Sequence, residues 1–249
     1  GLDGEGRLVG AQKIAGGAAE SVLQPEWSPE GALFFLSDRS NWWNLYRWEG
    51  GAEGVVVEMQ AEFGYPQWGF GMSSYGVVSE GRLAAAVTSE GRWQLLEVEA
   101  RSGAWSPVEI PFDSLAYVRT APGRVVFWGG SPQAASAIAQ LDLDTHAVRT
   151  LRYSSEVEID PGYLSVPQPV EFPTENGQTA HAFFYPPQNK DYRAPTGEQP
   201  PLIVFSHGGP TGSSGSSFSL SIQYWTSRGF GILDVNYGGS TGYGREYRQ

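Results

Sequence analysis

Apolar and polar positions divide the chain into two kinds of pattern. Up to about residue 152 the apolar runs are short, alternate with polar residues and are bounded by glycine-containing turns, as β-strands are. The runs also recur. A turn ending in Gly31 leads into residues 33–39 and 44–48, one ending in Gly81 into 83–88 and 93–98, and one ending in Gly123 into 125–128 and 138–143. Further strand candidates at 55–58, 105–110 and 148–152 close each unit. The spacing is near the ~40–50 residues of a β-propeller blade. About three blades of antiparallel strands are therefore expected, with a lead-in strand around residues 8–14. Rings usually need about 4–8 blades, and a β-sandwich of the same strands is the competing architecture. On the propeller reading Trp27, Trp68 and Trp128 should be at least half buried.

Beyond residue 152 the pattern changes. Residues 154–169 carry acidic residues and prolines with no periodic apolar face, as an exposed linker does. Residues 170–172 and 181–185 read as strands around Glu175-Asn176-Gly177, and Asn-Gly is a strong hairpin signal. Residues 202–205 form an apolar run between prolines and glycines, predicting a fully buried strand. Phe218, Ile222 and Trp225 then recur at helical spacing, after N-cap candidates at 213–217 and before a stop at Gly229. Residues 231–237 read as a second buried strand. Strand, loop, helix, strand is a crossover joining parallel strands. Two units are expected, residues 1–164 and 165–249.

Composition narrows the function classes. With 249 residues and 40% hydrophobic content the chain can build a sizeable core. A net charge of −11 argues against nucleic-acid or anionic-membrane binding. There is no cysteine, hence no disulfide or cysteine metal site, which fits a reducing, cytoplasmic setting. No apolar run approaches the ~18 residues of a membrane span, and the first residues show no signal-peptide pattern.

The chemistry is concentrated at residues 200–248. His207-Gly208-Gly209-Pro210 stands at the C-terminal end of the first buried strand, where two glycines leave backbone N–H groups free to point into open space. With Tyr224-Trp225-Thr226-Ser227-Arg228-Gly229 and Asn236-Tyr237-Gly238-Gly239-Ser240-Thr241-Gly242-Tyr243-Gly244, this stretch resembles the start of the α/β-hydrolase domain of the prolyl oligopeptidase family of serine peptidases. The resemblance is to its acylaminoacyl-peptidase and dipeptidyl-peptidase-like branch. Trp27-Ser28-Pro29-Glu30-Gly31 and Ser37-Asp38-Arg39 resemble that family's N-terminal propeller. The fold implied is the C-terminal blades of a β-propeller followed by the opening strands of an α/β-hydrolase domain.

The activity implied is hydrolysis of short peptides through an acyl-enzyme. Gly209 supplies an oxyanion-hole N–H, and Gly208 and His207 position it. Other branches carry a tyrosine where His207 stands, which puts a side-chain donor at this position in doubt. The triad residues are expected past Gln249, on the remainder of the same polypeptide. No cofactor or metal is implied, and assembly into a homo-oligomer is left open. An esterase or lipase, sharing His-Gly-Gly, and a non-catalytic protein-binding propeller are the alternatives.

Other candidates have plainer explanations. Gly238-Gly239-Ser240-Thr241-Gly242 fits Gly-x-Ser-x-Gly, but Gly242 and Gly244 would occupy the first turn of the helix that motif needs, so a glycine-rich turn is preferred. No histidine follows Ser240 to complete a triad in the hydrolase order. His146 reads as a surface turn residue and His181 as structural, and the pairs Glu97/Glu99 and Asp142/Asp144 read as solvated strand faces.

Overall fold

A computed structural model of the chain describes residues 1–79, 81–209 and 211–249. Three four-stranded antiparallel sheets form the first part. They comprise β1 (Val22–Trp27), β2 (Leu33–Ser37), β3 (Asn44–Glu49) and β4 (Ala52–Val57); β5 (Tyr75–Ser79), β6 (Arg82–Ser89), β7 (Arg92–Glu99) and β8 (Trp105–Val108); and β9 (Ser114–Ala121), β10 (Arg124–Gly130), β11 (Ala137–Asp142) and β12 (Val148–Tyr153). Strand period decides how they stack. Leu83, Ala85 and Val87 of β6 join a core with Phe34, Leu36 and Leu45 of the first sheet, while Ala84 and Ala86 join Val118, Val125 and Phe127 of the third. The second sheet is thus buried on both faces, and its small alanines let the flanking sheets approach. Two-layer sandwich packing buries one face of each sheet, so serial stacking favours the propeller-like arrangement.

Three departures from expectation have physical causes. No strand covers residues 8–14, where Leu8 makes only an isolated bridge to Leu2. The strand that enters the first sheet is β1, which the sequence hides behind Pro25 and a bulge. Gln24 there adopts φ 46°, and its side chain accepts from Ser74 N at 2.8 Å and donates to Tyr75 O at 2.7 Å, tying the first sheet to the second. Trp27 and Trp68 are 60% and 68% exposed, because one lies on an outer strand edge-on to Trp48 and the other at a loop tip; Trp128 is more than half buried. Leu202 and Val204 are also more than half exposed, because they share the face opposite to Ile203 and Phe205, which pack on Phe183, Tyr185 and Ile232.

That sheet is the fourth, formed by β13 (Gln168–Pro173), β14 (Thr179–Tyr185), β15 (Leu202–Ser206) and β16 (Gly231–Asn236) in the order β13-β14-β16-β15. Asn176 and Gly177, at φ 58° and 73°, make the hairpin turn expected between β13 and β14. β15 and β16 are parallel, with Ser206 opposite Val235, and helix α1 (Leu220–Thr226) crosses between them. Ile222 of α1 packs on Phe183, Tyr185 and Ile232, and Gly229, at φ 90°, ends the crossover.

A buried ionic network holds this sheet to the first. Helix α2 (Arg245–Arg248) sends Arg245 to both oxygens of Asp38 at 3.0 Å, and Arg248 to Asp38 at 2.7 Å and to Glu62 at 3.1 Å. Asp38 and Glu62 are 1% and 0% exposed. Trp43 N and Gly244 N also donate to Glu62, at 2.8 and 3.1 Å, and the Arg248 guanidinium lies 3.8 Å from the centre of the Trp43 ring. Burial raises the Glu62 carboxyl above its ordinary range against the downward pull of these donors. Arg248→Met should destabilise the protein by about 3–5 kcal/mol in urea unfolding, because it leaves the buried Glu62 carboxylate without its cationic partner. Adding Glu62→Gln should recover part of that loss. An unchanged midpoint in the single variant would show that the network does not hold the sheets together.

Candidate active-site loop

β15 ends at Ser206, and its direction carries the next residues out of the sheet beside the end of β16. Parallel register therefore brings His207, Gly208 and Gly209 alongside Tyr237 and Ser240. The rings of His207 and Tyr237 stack with centroids 4.5 Å apart and planes 17° apart. The Tyr237 hydroxyl lies 3.1 Å from the His207 carbonyl and 3.0 Å from that of Gly209, so one side chain spans the loop. Gly209 has φ 72°, a left-handed conformation that glycine adopts without strain. Gly208 and Gly209 are exposed, and among the described residues neither N–H has an acceptor. Pro210 of the same motif lies outside the described residues.

The following loop is fastened from below. Ser214 N and Oγ donate to Asn236 Oδ1 at 2.7 Å and Asp234 Oδ1 at 2.6 Å, and Asn236 Nδ2 returns a bond to Ser214 O at 3.2 Å. Thr241 donates to the carbonyls of Thr211 and Gly212. A Cβ on Gly212 would come within 2.8 Å of Gly208 O and His207 Nδ1, so only glycine lets the loop close on itself. Burial raises the Asp234 carboxyl, against the Ser214 hydroxyl and His207, which pull it down.

Ser240 lies close to a histidine, but inside a buried turn rather than on an exposed one. Its Oγ is 2.7 Å from His207 Nε2 and also donates to Tyr237 O at 2.7 Å. The tautomer of His207 sets which atom donates in the Nε2 contact, and the Tyr237 carbonyl is a second acceptor for the same hydroxyl. It is also 0% exposed. The glycine-rich turn is what the chain forms here.

The remaining candidates are engaged locally. His146 is exposed and lies 2.7 Å from Glu97, which also binds Arg82, and Asp142 accepts from Thr145 N at 2.8 Å in its own turn. His181 stacks on Tyr243 at 4.1 Å. Among the described residues no group of acidic residues and histidines could hold a metal, and no helix is long and apolar enough to cross a membrane. Sequence reasoning missed the clamping role of Tyr237, whose only signal was an aromatic residue directly after the second parallel strand.

The geometry can be set beside known proteins. A puromycin-hydrolyzing peptidase of Mycobacterium tuberculosis superposes over 98% of this chain at 36% identity, with a TM-score of 0.92. The chain's likeness is to the prolyl oligopeptidase family of serine peptidases. Dipeptidyl aminopeptidase BIII of Pseudoxanthomonas mexicana is 32% identical over 89 residues, 33% of this chain and 12% of that protein. The acylamino-acid-releasing enzyme of Arabidopsis thaliana is 45% identical over 53 residues, 21% of this chain and 7% of that protein. The chain spans 38% of the superposed peptidase's length. No protein-family model matches.

Two outcomes follow for the loop and its surroundings. A fluorophosphonate probe should leave Ser240 unlabelled, and Ser240→Ala should cost about 1 kcal/mol of stability through the lost bond to His207; a Ser240 adduct by mass spectrometry would overturn this assignment. For His181, burial lowers the imidazole from its ordinary value, against Glu171 and Glu90. A depressed folded value means its contribution is full above the unfolded pKa of about 6.5 and is lost as pH falls through the folded one. His181→Phe should therefore flatten the fall of the urea midpoint below about pH 6.5; an unchanged slope would exclude His181 as a source.

Proposed function

We propose that the chain supplies the substrate-facing part of a serine peptidase acting on short peptides. In this reading residues 1–164 are propeller-like blades and residues 165–249 the opening of an α/β-hydrolase unit. The observation that carries it is the pair of exposed N–H groups at Gly208 and Gly209, without an acceptor among the described residues, beyond a parallel strand, in a chain 36% identical to a puromycin-hydrolyzing peptidase.

Attack on a peptide carbonyl turns its oxygen into an oxyanion. A donor already aimed at that point strengthens as charge builds and needs no reorganisation during the reaction. Gly209 N–H is the donor assigned here. Tyr237 and His207 hold the loop's carbonyls and ring, so its amides keep their direction. His207 has its Nε2 on Ser240 and its ring on Tyr237, and serves as a positioning residue. In this reading the blade-like sheets limit what reaches the loop.

The full-length protein should hydrolyse peptide anilides and bind a fluorophosphonate probe at a serine other than Ser240. Turnover of simple esters without any turnover of peptides would favour the esterase alternative. Gly209→Ala forces a side chain into the left-handed region and re-aims the N–H. The kcat should fall toward the ~10²-fold loss typical of a missing oxyanion donor, with KM changed much less. A kcat equal to that of the unsubstituted protein would remove Gly209 from the mechanism.

A further inference from the structure

The chain has five asparagines, and four of them have their carboxamides engaged. Asn44 and Asn236 are buried. Asn44 accepts from Met59 N at 3.1 Å and donates to Ser40 at 3.0 Å, and Asn236 grips Ser214 N and O at 2.7 and 3.2 Å. Asn41 accepts from Glu246 N at 2.8 Å. Asn189 accepts from Asp191 N at 2.9 Å and donates to Ser227 O at 2.8 Å. Asn176, at the tip of the β13–β14 hairpin, differs from all four. It is exposed, and among the described residues its carboxamide has no partner. The turn is closed by Gln178 N on Glu175 O at 3.2 Å and Thr174 N on Gln178 O at 2.7 Å, and neither bond uses the Asn176 side chain. The following residue also differs. Trp42, Leu45, Lys190 and Tyr237 follow the other four, whereas Gly177 follows Asn176. Gly177 has no Cβ to block its nitrogen, and nothing lies within 4 Å of where one would stand.

We propose that Asn176 is a site of spontaneous covalent modification, losing ammonia to form a cyclic imide with Gly177 and opening to aspartate and isoaspartate. The Gly177 nitrogen gives up its proton to base and attacks Asn176 Cγ. The N–Cγ bond forms, the Cγ–Nδ2 bond breaks, and Nδ2 takes a proton and leaves as ammonia. Solvent water then adds to one of the two imide carbonyls. Opening at Cγ gives aspartate, and opening at the main-chain carbonyl gives isoaspartate, whose backbone runs through the side chain and is one methylene longer. Burial and hydrogen bonds hold the other four carboxamides away from this path, and bulky neighbours crowd it. Either product adds a negative charge beside Glu175. The hairpin tip lines one groove with Tyr237 and Tyr247, so the new charge enters the surroundings of the donor-loop clamp. The chemistry does not depend on the peptidase reading above.

The test is peptide mapping by mass spectrometry of the folded, full-length protein after incubation in mildly acidic and mildly alkaline buffer. Asn176 should gain one mass unit ahead of Asn41, Asn44, Asn189 and Asn236. The conversion should be several-fold faster in the alkaline buffer, because the attacking nitrogen must first lose its proton. Two products should separate by chromatography, and electron-transfer fragmentation should identify one as isoaspartate. Gly177→Ala should slow the conversion several-fold, and Asn176→Gln should remove the acidic species that accumulates on ion exchange. In urea the other four asparagines should convert faster than in the folded protein, because unfolding frees their carboxamides. An intact Asn176 when another asparagine has converted, a rate indifferent to pH, conversion confined to the urea-unfolded chain, or a rate unchanged in Gly177→Ala would overturn the assignment. The unsubstituted protein decides the first three outcomes by itself, so a variant that folds poorly leaves the proposal testable.

Discussion

The arrangement depends on burying two carboxylates, Asp38 and Glu62, where blade-like sheet and crossover sheet meet. Burying a carboxylate is expensive unless a partner neutralises and hydrogen-bonds it. The partners here, Arg245 and Arg248, come from a single short helix about 200 residues away along the chain. Neither side can bury its charge alone, so the pair specifies one way for the parts to meet. Glu246 N on Asn41 Oδ1 at 2.8 Å and Gly244 N on Glu62 Oε1 at 3.1 Å fix the helix along its length. These two backbone contacts, added to the arginine pairs, leave little room for sliding.

From that helix the constraint passes to the candidate site by short steps. Tyr247 accepts at its carbonyl from Gly239 N at 2.8 Å and donates its hydroxyl to Asn236 O. Residues 236–240 are therefore held at both ends, and they carry Tyr237 and Ser240, which grip His207 and the Gly209 carbonyl. The loop at residues 213–218 adds a second attachment, to the third sheet, through Phe218 N on Ser131 O at 2.8 Å and the Ser216 hydroxyl 3.3 Å from that of Ser114. The same docking brings Trp68 against Gly209. Pre-aimed donors work only if their loop is held before substrate arrives, and here the holding comes from the interface between sheets rather than from the loop itself.

Much of this was legible where one local rule suffices. The β15–α1–β16 crossover follows from two apolar runs around a helical period and a glycine stop, and the second, third and fourth strands of each blade-like sheet follow from alternation. The strands β1, β5 and β9 were not legible. β1 and β9 contain Gln24 and Tyr117 at positive φ, and bulges break the alternation that period-based reading needs. In β5, Gly76 is required because a Cβ would come within 2.6 Å of Thr120 Oγ1, so packing between sheets chose a residue that strand propensity disfavours. Exposure of Trp27 and Trp68 failed for a related reason: residue type reports average burial, whereas a loop tip is set by its anchors.

The site shows the same division. Two glycines after an apolar strand suggested a backbone-donor loop, but the clamp on them needs the parallel register that sets Ser206 opposite Val235. Only that register puts Tyr237 over the loop and Ser240 beneath the histidine. It also explains why a Gly-x-Ser-x-Gly pattern misleads here. The motif describes a serine whose hydroxyl is lifted out of a sharp turn toward solvent. In this turn Gly239 and Gly242, both at φ 111°, instead fold the hydroxyl inward onto the Tyr237 carbonyl. The serine at the centre of a catalytic pattern thus braces a neighbouring loop, and the burial of its hydroxyl separates the two roles.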